Sequence, residues 1–494
     1  MDASKLTERL RGIVKPSSPS VVASGPPLAS GSPVANVASG FGRTSPLDPT
    51  PSLQRALGGE WREGGRARCF VVERRVSAEA FHGDVRVDEC ATRIERSMTR
   101  ASLLMRNGPA QSPFMFFDLE TTGLSGGAGT YAFLVGCGWF AGDGSFVTRQ
   151  YFLAEYGGER SMLEAVTGDF ERAGVLVSFN GKSFDAPLLE TRYVFHRLGW
   201  LGGEVPHLDL LHPARRFWGG GGHESSCSLG ALERKLARVH RQNDVAGFEI
   251  PARYFQFLRS GDARPLSGVL EHNRQDLLSL AVLTACLLQL VEDGSGATID
   301  AREALALGHV YADSGLDWRA REAYRRAVAL SMIDASTLSS SDTSMVSSRD
   351  ASIASSSDTS MVSLGINALR ALAIAERRAL AYDDAAACWQ RLLDLPGCPP
   401  RVAGEALEAL AVHHEHRLRD LATARVFALR SLKQESRPSW TDAVRHRLAR
   451  LEKKLENKLE KKLERLTEPP LFPSSPSQPQ LSCGSPMSAR RTSL

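Results

Sequence analysis

The sequence predicts an α/β fold, a mixed five-stranded sheet flanked by helices, followed by an all-α domain of paired helices. Three observations carry this. Apolar runs at Phe114 to Glu120, Tyr131 to Phe140 and Phe146 to Leu153 are separated by glycine-containing turns, as antiparallel strands require. Strand and helix patterns then alternate as far as Leu211, which indicates a mixed sheet covered by helices. Beyond Ile299 the pattern is helical throughout.

A chain of 494 residues has room for about three domains. Its 42% hydrophobic and 23% charged content is ordinary for a soluble globular protein. The net charge of +4 permits nucleic-acid binding without requiring it. Eight scattered cysteines without a Cys-x-x-Cys pair argue against a disulfide framework and a zinc ribbon. The amino terminus lacks the apolar core of a signal peptide. Leu277 to Val291 is the longest apolar stretch and is too short for a membrane span. The expectation is a cytoplasmic protein with no membrane partner.

Residues 1–58 are rich in Pro, Ser, Gly and Ala and read as a disordered leader. Residues 59–112 form an extension of the domain that follows, with a strand at Arg68 to Glu73 and a helix over Asp88 to Met105. The sheet domain occupies 113–295. To the three strands above it adds Val175 to Phe179 and His207 to Leu211, with helices at Glu159 to Arg172 and Phe184 to Leu198. In 300–435, Leu307, Gly308, Tyr311, Gly315, Ala320, Tyr324 and Ala327 fall at tetratricopeptide spacing, with weaker copies around Trp389 and Ala424. A low-complexity insert at 334–364 repeats Ser-Ser-Ser-Asp-Thr-Ser-Met-Val-Ser and reads as a surface loop. A basic helix over 438–467 carries a stripe from Leu448 to Leu466, read as a packed terminal helix with a solvated face. Residues 468–494 are a Pro/Ser-rich tail.

The chemistry starts at Asp118 and Glu120, in Phe-Met-Phe-Phe-Asp-Leu-Glu-Thr-Thr. Side chains two apart on a strand share a face, and two acids ending an apolar strand call for a cation. Asp185 follows the next apolar strand, and Asp276 heads a long apolar helix. Four such acids can hold two divalent ions, the arrangement that hydrolyses phosphodiesters. His272 lies four residues before Asp276, on the same helical face, where a proton acceptor is useful.

At Asp118-Leu-Glu120-Thr-Thr-Gly123, Asn180-Gly-Lys-Ser-Phe-Asp185 and His272-Asn-Arg-Gln-Asp276 the chain resembles the DEDD (DnaQ-like) exonuclease superfamily. Within it the chain is most similar to YprB-like bacterial proteins, through Gly126 to Gly136, His207 to Pro213, Cys227-Ser-Leu and Asp244 to Pro251. The resemblance implies a ribonuclease-H-like fold, with two Mg²⁺ or Mn²⁺ ions held by Asp118, Glu120, Asp185 and Asp276, and His272 as general base. It also implies 3′ to 5′ exonuclease action on DNA or RNA and a tetratricopeptide-like tail able to take a protein partner. The histidine subtype places its base five residues before the last Asp and the tyrosine subtype four; here a His stands at the tyrosine spacing.

Thr121, Asn180 and Phe184 are the substrate-binding expectations, although Asn180 equally closes a turn and Phe184 equally fills a core. Asp209 is read as structural. Gly126 to Gly129 lacks the helix that a phosphate loop needs behind it. Two other readings stay open: a nucleic-acid-binding module with a protein-interaction repeat domain, and a structure-specific endonuclease.

Overall fold

The computed structural model describes residues 50–64, 67–105, 108–123, 129–219, 227–339, 348–434 and 438–467. Helix α1 (Thr50–Leu57) leads into β1 (Glu60–Gly64) and β2 (Ala67–Val76), then a small hairpin of β3 (Phe81–His82) and β4 (Val85–Arg86), then α2 (Val87–Ser97) and α3 (Ala101–Leu104). Next come β5 (Phe114–Thr121), β6 (Ala132–Phe140) and β7 (Phe146–Phe152), followed by α4 (Glu159–Phe170), β8 (Val175–Ser178), α5 (Asp185–Phe195) and β9 (His207–Asp209). Helices α6 (Leu211–Trp218), α7 (Leu229–Ala237), α8 (Ile250–Ser260) and the long α9 (Leu266–Asp293) complete this part.

The sheet has seven strands, in the order β1-β2-β7-β6-β5-β8-β9, two more than the sequence pattern predicts. The additions are β1 and β2. Strand β2 pairs antiparallel with β7, Phe70 opposite Phe152, and so extends the edge. Strands β5, β8 and β9 run parallel, and the remaining pairs are antiparallel, which makes the sheet mixed.

The alternation along β5 is what a central strand needs. Phe114 and Phe116 enter the core formed with α9, whereas Met115, Phe117 and Leu119 enter the opposite core with α4, α5 and α8. Asp118 and Glu120 continue the even-numbered series and therefore lie on the α9 side. Helix α9 is the one described helix long and apolar enough to cross a membrane, and 72% of its most apolar window is buried inside this fold. It is the cover of the sheet.

The leader expected over 1–58 gives way to α1. Leu53 and Leu57, one helical turn apart, are 0% and 2% exposed, and Arg74 donates to the Leu57 carbonyl at 2.8 Å. Two leucines in eight residues are too faint a signal to stand out from the Pro/Ser-rich stretch before them. Residues 1–49 lie outside the described residues, as do 468–494.

The remaining helices come in antiparallel pairs: α10 (Ala301–Asp313) with α11 (Asp317–Ser339), α12 (Ser348–Arg378) with α13 (Tyr382–Asp394), and α14 (Pro400–His413) with α15 (Leu421–Leu432). Helix α16 (Pro438–Thr467) follows. The insert expected as a surface loop is helical wherever it is described, and residues 340–347 lie outside that range. On α16 the leucine stripe is packed only at its start. Leu448 and Leu451 are 7% and 0% exposed, whereas Leu459, Leu463 and Leu466 are exposed.

One core runs from the α9 face of the sheet into the helix pairs, linking Leu287, Leu288 and Val291 with Leu307, Tyr311 and Tyr324. Polar bonds seal it. Tyr311 donates to the Val291 carbonyl at 2.7 Å, and Trp218 donates to Glu303 at 2.9 Å.

Candidate active site

The site lies where the ends of β5 and β8 meet the first half of α9. Asp118 pairs in register with Gly136 of β6. That glycine lets α9 come close, since a Cβ on it would stand 2.2 Å from the Asn273 Oδ1. Asn273 is fully buried over it. Its Nδ2 donates to Asp118 Oδ2 at 2.9 Å, and its Oδ1 accepts from Gln150 at 2.9 Å. Gln150 also donates to the Leu270 carbonyl at 2.7 Å, so β7 and α9 together hold the amide that orients Asp118.

Asp185 opens α5 just after β8. The turn before it is tight: Asn180 has φ of 66°, and a Cβ on Gly181 would meet the Ser178 hydroxyl at 2.3 Å. Asp209 stitches this turn. Its carboxylate accepts from the backbone N–H of Asn180 at 2.7 Å, Lys182 at 3.1 Å and Leu211 at 3.1 Å. Asp209 is thus structural, as read from the sequence, and Asn180 does close a turn.

Asp276 lies one turn along α9 from Asn273. Arg241, from the loop between α7 and α8, donates to Asp276 Oδ1 at 2.5 Å. The same guanidinium makes two bonds of 2.8 Å to Glu233 on α7. His272 shares the face of Asp276, with its Nε2 3.4 Å from Asp276 Oδ2. Its Nδ1 lies 2.6 Å from Asp244 Oδ1. Thr121, half-buried at the end of β5, donates to the Gly123 carbonyl at 3.0 Å. Phe184 sits at the start of α5 and is 57% exposed, so it fills no core.

Burial and crowding both act on the acids. Burial, then the charges of Asp276, Glu120 and Asp185, push the Asp118 carboxyl well above its usual range, against a lowering hydrogen bond from Asn273. Glu120 is pushed up in the same way by burial, Asp276, Asp185 and Asp244. Burial and Asp209 raise Asp185 to about 7. Asp276 is raised by burial, with Arg241 and His272 opposing. The sequence-predicted acids are therefore brought within each other's field.

Among the described residues no group of three or more His, Cys, Asp and Glu side chains is gathered closely enough to hold an ion as it stands. Asn273 takes one oxygen of Asp118, and Arg241 takes one of Asp276. The donor set nonetheless suits a divalent cation. It is all carboxylate oxygen, half-buried, mutually repelling and carrying charge that its protein partners only partly offset. Asn273, Gln150, Arg241 and Asp244 were not singled out as site residues from the sequence. Asn273 is next to His272 in sequence, whereas Arg241 lies 31 residues before it, and no spacing rule marks either.

The comparisons with known proteins bear on the same segment. Residues 115–288 match the family described as RNase_H superfamily. A Bacillus subtilis (strain 168) protein named "Uncharacterized protein YprB" is 35% identical over 207 residues, 41% of this chain and 49% of that protein. The chain thus spans about half the length of the curated relative it matches. The segment 115–288, which carries most of the mixed sheet and its covering helices, is similar to the ribonuclease H superfamily.

Proposed function

We propose that this chain is a divalent-metal-dependent nuclease of the DEDD type that hydrolyses phosphodiester bonds of DNA or RNA as a 3′ to 5′ exonuclease in the cytoplasm. The observation that carries this reading is the crowding of Asp118, Glu120, Asp185 and Asp276, from three separate elements, with charge left to neutralise. These four would hold two Mg²⁺ or Mn²⁺ ions. When bound, such ions supply Lewis-acid polarisation of the phosphate and acidify water.

The chain's own residues do the rest. Asn273 and Arg241 each fix one carboxylate oxygen, so Asp118 and Asp276 offer the other. His272 takes the proton of the attacking water at Nε2. Thr121, Asn180 and the exposed Phe184 ring flank the acids and receive the substrate strand. The helix pairs form a tetratricopeptide-like domain that recruits a protein partner. Gly308 supports that assignment: a Cβ there would lie 2.4 Å from the Tyr324 ring, the small-against-aromatic packing that paired repeat helices use.

The test is Mn²⁺-dependent release of nucleotides from an end-labelled oligonucleotide, which Asp118→Asn should abolish. Undiminished release by that variant removes the site assignment. Circular substrates separate exonuclease from endonuclease action. The rival reading, a nucleic-acid-binding module, draws on the Arg241 contact that already occupies Asp276. It would be favoured if calorimetry found no Mn²⁺ binding.

A further inference from the structure

We infer that Asp244 is the positioning residue of His272, with Arg241 bracing it against Asp276; the inference rests on the nuclease reading above and names the part of the site that sets the base. Asp244 Oδ1 lies 2.6 Å from His272 Nδ1 and also accepts from the Val245 N–H at 2.9 Å. With that oxygen acting as an acceptor, the imidazole places its proton on Nδ1. Its lone pair is then on Nε2, the nitrogen that stands 3.4 Å from Asp276 Oδ2, beyond a good hydrogen bond and on the side of the acids.

The loop that carries Asp244 is built to hold this relation. Arg238 and Asn243, the latter directly before Asp244, bracket Arg241 with φ of 53° and 54°, left-handed conformations that are sparsely populated by residues with side chains. Inside the bracket, Arg241 is 8% exposed and grips Glu233, which is 2% exposed, with both arms of its fork. The same guanidinium reaches Asp276 Oδ1 at 2.5 Å and Asp244 Oδ2 at 3.5 Å. Glu233 is held in turn by the buried Ser279 hydroxyl, which bonds His82 at 2.7 Å. One buried arginine thus fixes the separation between the group that orients the base and the acid the base works beside. This arrangement also accounts for a histidine at the four-residue spacing: the base is aimed by a partner from another loop rather than by its distance along α9.

The competing reading makes Asp244 a fifth metal ligand, because its charge also reaches Glu120. Nitrogen-15 NMR of labelled histidine in the full-length chain, at one fixed pH and without nucleic acid, reads the tautomer directly. His272 should carry its proton on Nδ1 in the wild type and shift toward Nε2 in Asp244→Ala, with Asp244→Glu restoring the wild-type signature. Mn²⁺ affinity should stay within about twofold, and kcat should fall about 10²-fold or more with KM little changed, the size general-base catalysis supplies. The same tautomer in wild type and Asp244→Ala would overturn the inference while leaving the nuclease reading standing. A tenfold loss of Mn²⁺ affinity in Asp244→Ala would overturn it in favour of a ligand role. An inactive wild type with the expected tautomer would strike the nuclease reading alone.

Discussion

Replacing Asp185 by Asn should make the metal-free protein more stable, and by an amount that depends on pH. The Asp185 carboxyl is raised from an ordinary 3.8 to about 7, first by burial and then by Asp209, and it makes no hydrogen bond to any described residue that Asn would lose. A raised carboxyl favours the protonated fold, so its contribution is fully present below about pH 4 and is lost as pH climbs to about 7. Three pH units correspond to ~4 kcal/mol, a ceiling because the neighbouring acids share the repulsion. Wild type and Asp185→Asn should therefore unfold alike near pH 4, diverge through pH 4 to 7, and differ by at most ~4 kcal/mol above that. Urea denaturation in EDTA at pH 4, 6 and 8 measures this directly. Adding Mn²⁺ at pH 8 should stabilise the wild type and leave the variant nearly unmoved, closing or inverting the gap. The reasoning is refuted if the variant is no more stable than wild type at pH 8 without metal, or if Mn²⁺ stabilises both equally.

Two further outcomes test the frame around the site. Gly136→Ala forces a methyl to 2.2 Å from Asn273 Oδ1; it should cost about 1 to 3 kcal/mol and reduce Mn²⁺-dependent cleavage, read from urea midpoints and nucleotide release. In the helix pairs, Glu415 is buried and accepts from Arg447, Arg450 and Lys454; against the penalty of burial, Arg450, Lys454 and the charge of His416 hold its carboxyl down at about 2. That stabilisation is present above about pH 4.5 and lost as pH falls toward 2, so Glu415→Gln should cost about 1.5 to 3 kcal/mol at pH 7 and little at pH 2. Hydrogen exchange in α16 is the local readout.

The parts of this molecule legible in the sequence are those written as local patterns. The alternation of Phe114 to Glu120 gave a strand with two acids on one face, and β5 places them on the α9 side as that period requires. The Gly308 and Tyr324 spacing gave paired helices, and their close packing is present. What the sequence hid depends on encounters between distant segments. Strand β2 joins the sheet only because β7 offers it an edge, so a strand at Arg68 to Glu73 was readable but its place in a seven-stranded sheet was not. Asn273 looks like any polar helical residue until a glycine 137 positions earlier lets it reach Asp118. Arg241 and Asp244 sit in a loop without periodicity, and only the fold brings them to α9. The insert misled for a different reason: low complexity and high polarity describe a solvated surface, which a helix satisfies as well as a loop does.

Helix α9 has a consequence for how the chain can be divided. Its first half carries His272, Asn273 and Asp276, while Leu287, Leu288 and Val291 further along, all 0% exposed, are shared with the helix pairs. A fragment ending where the family match ends, at 288, would remove Val291 and the partners of the other two, each worth about 1.5 to 3 kcal/mol of burial. The same spine that presents Asp276 is thus anchored from behind by the helix pairs. A load placed on the helix pairs is therefore transmitted to the axis on which His272 and Asp276 ride.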